Sequence, residues 1–250
     1  MDDPRAMLAA TLEPLGDPVE SLEWLGGAGV RGVQLSATQP GLRPRTLDGS
    51  ARRELRARLK RLELTLSGLD LWIPPEHFTE PANVDRATAA AEAAVVLAAD
   101  LGRVPVSMTL PADAAASALA AQALSHLLAR ALHHGVTLVD FQTPPGSHPA
   151  IAPGVDLALV LDRGGDPLAA LAEASVAAGR PPGAIRLAAR PAAGARGPLG
   201  APDVPLLRRL REAFARDRLL PMPVLDARGW HDPRAGVRQS LAAWEAAAAR

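Results

Sequence analysis

The sequence predicts an α/β fold, a single (β/α)8 TIM barrel over residues 1–250, on three observations. Eight short apolar runs alternate with longer helical patterns from one end of the chain to the other. A length of 250 residues is what eight such β/α units require. The competing doubly wound open sheet lacks its marks, since no Gly-x-Gly-x-x-Gly follows the first strand and no Gly-x-x-x-x-Gly-Lys loop occurs.

The predicted strands are Leu8–Leu12, Val30–Ser36, Leu64–Leu71, Val104–Thr109, Val136–Gln142, Val155–Asp162, Ala184–Ala188 and Pro221–Asp226. Each is nearly continuously apolar and bounded by Gly, Pro or a charge, as strands buried on both faces are. Helical patterns lie between them. "DPVESLEWLGGAG" opens on Asp17 as N-cap and stops on glycine. "LDGSARRELRARLKRL" sets Glu54 four residues before Arg58 on a solvated face. Two long alanine-rich stretches end at Gly102 and Gly135, and "DPLAALAEASVAAG", "PDVPLLRRLREAFARD" and "SLAAWEAAAAR" complete the set. The Pro/Gly-rich stretch Ala189–Pro205 would follow the seventh strand at the mouth of the barrel.

Composition narrows the chemistry. Cysteine is absent, which removes disulfides, thiolate metal sites and cysteine nucleophiles. Tyrosine is absent, and the only lysine, Lys60, sits in a charged helical stretch unsuited to a Schiff base. Twenty-seven basic and 27 acidic residues cancel, so nothing favours nucleic acid or an anionic membrane as partner. No apolar run is long enough for a signal peptide or membrane span, and a cytoplasmic protein is expected. A homo-oligomer stays open.

The stretches "SLEWLGGAGVRGVQLS", "LAADLGRVPVSM", "ALHHGVTLVDFQTPPG", "LVLDRGGDP" and "GAPDVPLLRRLREAF" resemble, in order, the xylose-isomerase-like TIM barrels, the superfamily of sugar phosphate isomerases and epimerases. The resemblance implies a pocket at the C-terminal strand ends. It also implies a divalent metal (Mn, Mg, Co or Zn) held by Glu on strand five, Asp with a His three residues on at strand six, His on strand seven and Glu on strand eight. Set against that pattern, Phe141 stands where the first Glu belongs, followed by Gln142 and Thr143, while Asp140 points to the opposite side. Asp162 matches the strand-six Asp, but Gly165 replaces its His; Arg186 replaces the strand-seven His, and Asp226 could stand in for the last Glu. A guanidinium cannot be deprotonated and repels a cation, so an Asp–Arg pair is expected in the metal's place. No cofactor is expected unless a metal site is rebuilt from other ligands.

The expected partner is a small polar metabolite, sugar-like or a sugar acid. Candidate acid–base residues are His77, Asp162 and Asp226; candidate substrate-binding residues are Gln34, Asp70, Trp72, Gln142, Arg186, Trp230 and His231. Each has a structural alternative. Asp162 could cap a helix, Arg186 could form an internal ion pair with Asp162 or Asp226, and Trp72 could pack on the rim. His133 and His134 end a helix at the barrel's bottom, and His148 lies on the functional side. Two functions follow: an isomerase or epimerase shuttling a proton between adjacent carbons, or a catalytically inactive barrel serving as a ligand-binding or protein-interaction module. An endonuclease IV-like role is disfavoured by six scattered histidines and zero net charge.

Overall fold

The computed structural model describes residues 7–111, 117–141, 148, 150–189, 196–217 and 220–248. Eight parallel strands close on themselves in sequence order, β1-β2-β3-β4-β5-β6-β7-β8, with β1 pairing back onto β8. They are β1 (Ala9–Thr11), β2 (Gly32–Ser36), β3 (Thr65–Asp70), β4 (Val106–Met108), β5 (Leu138–Asp140), β6 (Ala152–Asp156), β7 (Ala184–Leu187) and β8 (Val224–Leu225). This is the predicted (β/α)8 barrel.

The outer layer consists of α1 (Pro18–Gly27), α2 (Gly49–Arg61), α3 (Val84–Asp100), α4 (Ala118–His134), α5 (Leu157–Asp162), α6 (Pro167–Ala178), α7 (Val204–Arg216) and α8 (Pro233–Ala246). Three of these begin with Asp-Pro. Asp17, Asp166 and Asp232 each accept from backbone N–H groups of the first turn, while the following proline has no N–H to leave unsatisfied. Gly135 ends α4 in the left-handed region, with φ 66°, where its missing Cβ matters. A core running from Leu8 to Ala247 lies mainly between strands and helices. No helix among the described residues is long and apolar enough to cross a membrane.

Strand six is a correction. Val155–Asp162 is not one strand: β6 ends at Asp156, and Leu157–Asp162 is helical. The run Leu-Ala-Leu-Val-Leu satisfies a buried strand and a short helix equally well, and the aspartate before it decides. Asp156 Oδ1 accepts from the N–H groups of Ala158 and Leu159 at 3.1 and 3.2 Å, so it caps α5 and stops the strand. The strand itself is "APGVD", whose Pro153 and Gly154 read as a loop.

The layout around β6 is also unequal. Only residues 141–151 separate β5 from β6, with no helix among the described ones, whereas β6 is followed by both α5 and α6.

Candidate functional site: an aspartate–arginine mouth

The parallel register fixes which side chains share the inner face. Val139 pairs with Ala152, Gly154 with Ala184, and Asp156 with Arg186. Because side chains alternate along each strand, Ala184 and Arg186 project inward with Ala152, Gly154 and Asp156. Val139, Ala152 and Ala184 form a small apolar cluster inside the barrel, with Phe141 packed on it.

Gly154 has a specific reason to be glycine. A Cβ there would come within 2.6 Å of the Phe141 ring. The ring in turn lies under the Arg186 guanidinium, 3.6 Å from its centroid. Thus the aromatic residue at the expected Glu position serves as a platform for an arginine.

Above that platform, three aspartates meet three arginines. Arg186 Nη2 donates to Asp70 Oδ1 at 2.6 Å, and Arg228 Nη1 to Asp70 Oδ2 at 2.6 Å. Arg228 also grips Asp226 in a bidentate pair, Nε to Oδ1 and Nη2 to Oδ2, both 2.7 Å. Arg196 bridges Asp156 Oδ2 at 2.7 Å and Asp226 Oδ2 at 3.2 Å. Each of the six carboxylate oxygens accepts at least once, since Asp156 Oδ1 is used by the α5 cap. The six residues come from β3, β6, β7, β8's end and the segments after β7 and β8, all at the C-terminal side of the strands.

Burial tunes these charges. Desolvation alone would raise the Asp226 carboxyl, but the Arg228 hydrogen bonds and the charges of Arg228 and Arg186 hold it below the ordinary carboxylate range. Burial also lowers the Arg186 guanidinium, with Asp70 opposing that effect and Arg228 adding to it. Burial pulls Arg228 down as well, but its pairs with Asp226 and Asp70 raise it overall. All three groups stay ionised near neutral pH.

The predicted residues fall into distinct groups. Asp70, Arg186 and Asp226 converge in the mouth. Gln34 is buried on the inner face of β2, its Oε1 without a partner among the described residues. Asp162 does not belong here. It is exposed at the C-terminal end of α5, and Asp156, six residues earlier, takes the strand-six position. Three residues beyond Asp156 stands Leu159, so the relevant neighbour is a leucine rather than Gly165. Arg186 therefore pairs with Asp70, not with Asp162 or Asp226, because Asp70 ends β3 facing into the barrel.

Trp72 is two-thirds exposed, His77 is half-buried in a one-turn 3-10 helix, and His231 is exposed. Trp230 packs against Gly236 of α8, its indole N–H without a partner among the described residues. Gln142 lies outside the described residues. Asp156, Arg196 and Arg228 were missed. Arg228 carried a signal, standing two residues beyond Asp226 and just before Gly229, where an aspartate-led turn brings the two side chains together. Asp156 carried another, an aspartate immediately before a helix-compatible apolar run.

A cleft of about 770 Å³ runs along α5 and α6, lined by Phe141, Gly154, Leu159, Val160 and Glu173 among others; of the six ion-paired residues, Asp156 alone lines it.

No protein-family model matches the sequence, and no curated protein matches it. Solved structures do. A D-psicose 3-epimerase with D-tagatose from Clostridium cellulolyticum H10 superposes with TM-score 0.67 at 12% identity, covering 96% of each chain. A xylose isomerase-like TIM barrel protein from Mycobacterium smegmatis in complex with magnesium gives 0.62 at 14% identity, again over 96% of each. A xylose isomerase-like TIM barrel/4-hydroxyphenylpyruvate dioxygenase fusion protein gives 0.65 at 16% identity over 95% of this chain; the chain spans 42% of that protein's length. At such identities, what is shared is the fold.

Proposed function

We propose that this chain, a barrel with the xylose-isomerase-like fold, is a metal-independent counterpart of the sugar isomerases and epimerases that binds a small sugar-like or sugar-acid metabolite at its C-terminal mouth. The observation that carries the reading is the arginine ring. A divalent ion needs oxygen or imidazole donors that face it, whereas every oxygen of Asp70, Asp156 and Asp226 is turned toward an arginine or a backbone N–H. Three guanidiniums among those carboxylates also repel a cation. The donor set does not fit such an ion.

Fixed guanidiniums can stabilise negative charge developing on a ligand oxygen without metal chemistry. A base is harder to find. Asp226 is held ionised by its pairs and has lost the basicity a proton shuttle needs. That observation favours the second reading, a catalytically inactive barrel that binds ligand or a partner protein.

The test has two arms. After dialysis against Mn, Mg, Co or Zn, mass-spectrometric metal analysis should find substoichiometric content, and stoichiometric retention would overturn the metal-independent reading. Incubation with ketoses and aldoses in D2O, followed by NMR, separates the two functions: deuterium entering a carbon next to the carbonyl marks an active isomerase or epimerase.

A further inference from the structure

Every carboxylate oxygen of the mouth has a donor, whereas its guanidiniums have N–H groups to spare. Three guanidiniums carry about fifteen N–H groups, while the pairs with Asp70, Asp156 and Asp226 use six nitrogen–oxygen contacts. Arg186 Nε is buried and has no acceptor among the described residues. Its guanidinium sits 3.6 Å from the centroid of the Phe141 ring and is pinned by Asp70, which restrains the direction of that free edge. Two further buried polar atoms on the inner face have no partner among the described residues, Gln34 Oε1 and Ser107 Oγ. Ser107 is the register partner of Asp70, and Gln34 pairs with Gly68 two residues before it, so all three line one side of the barrel.

A ligand that satisfies this arrangement brings acceptors to the arginines and a hydroxyl donor to Gln34. A neutral sugar meets the second need and leaves charged donors under-satisfied. A phosphate monoester meets the first but adds nearly two negative charges to a mouth whose three carboxylates and three guanidiniums already balance. A carboxylate adds one charge and matches a guanidinium edge. Arg196 offers the second contact. Its pair with Asp226, at 3.2 Å, is the longest in the network, and its side chain is 29% exposed.

We propose, building on the metabolite-binding reading above, that the ligand is a sugar acid whose carboxylate is received by Arg186 and Arg196 and whose hydroxyls face Gln34 and Ser107. Nothing in this assignment requires turnover; it names what the mouth recognises.

Calorimetric titration of the full chain tests it, using aldonates and uronates of pentoses and hexoses, the matching neutral alditols and aldoses, and the matching sugar phosphates. At least one sugar acid should bind about ten-fold or more tighter than its neutral counterpart, a margin of one charge-assisted contact. Arg196→Met should erase that margin, so that the sugar acid binds no tighter than its neutral counterpart. Arg186→Met should do the same; should that variant not fold, the part-exposed Arg196 position carries the test alone. Equal binding of acid and neutral sugar, or preference for the phosphates, overturns the proposal while leaving the metabolite-binding reading in place. Acid preference persisting in Arg196→Met overturns the assigned receptor. No binding by any of the three classes overturns both.

Discussion

Gly154 and Phe141 show how one small residue can set the chemistry of a site. The missing Cβ admits the ring, the ring supports Arg186, and Arg186 engages Asp70. Gly154→Ala should therefore displace Phe141 and cost about 1–3 kcal/mol in urea unfolding, as over-packing of a filled interior does. If stability is unchanged, the ring has room to move and the platform is not rigid. Asp226 supports a pH prediction. Its carboxyl is lower in the fold than its unfolded value of about 3.9. A lowered carboxyl contributes stability that is present above the unfolded value and lost as pH falls through the folded one. The stability gap between the wild-type chain and Asp226→Asn should be constant from neutral pH to about pH 5 and shrink below about pH 4. A gap that widens on acidification would contradict the ionised assignment.

At the level of the element, the β6–α5 junction gives Asp156 two tasks. One oxygen caps α5 and the other pairs with Arg196. Serine keeps a capping oxygen and discards the charge, so Asp156→Ser and Asp156→Ala separate the tasks. Alanine should cost about 1 kcal/mol more than serine in thermal or urea unfolding, the typical worth of a cap. Equal losses would mean that the cap adds nothing and that the ion pair dominates. The same junction shows where sequence reading stopped. Strands two, three, four, five and seven were legible because β-branched and leucine-rich runs sit between clear breakers. Strand six was not, because its residues are Ala-Pro-Gly-Val-Asp and the more apolar run beside it belongs to a helix. The shift carried Asp162 into the site on paper and left Asp156 out.

For the whole molecule, the barrel closes through short strands, and the network at its mouth joins β3, β6, β7 and the end of β8 across the interior. The closed order was readable from the alternation of elements, and an arginine directed into the mouth from strand seven was readable from one residue. The partners of Arg186 were not, because they depend on which strand ends face each other across the barrel. Arg196 and Arg228 sit in connections, where periodicity says nothing about direction. Aspartates at strand ends therefore located the mouth more reliably than they identified its contents.

The arginine ring also bears on which substitutions this chain can accept. Removing one arginine leaves a buried carboxylate short of its partner, a change that costs several kcal/mol. Arg228 serves both Asp70 and Asp226, and Arg196 serves both Asp156 and Asp226. Building a metal centre here would require removing several arginines and placing ligands at Phe141, Leu159 and Arg186 together, and each arginine lost on its own uncovers a buried carboxylate. The mouth thus behaves as an interlocked unit: a substitution that keeps every carboxylate paired is tolerated more easily than one that unpairs any of them.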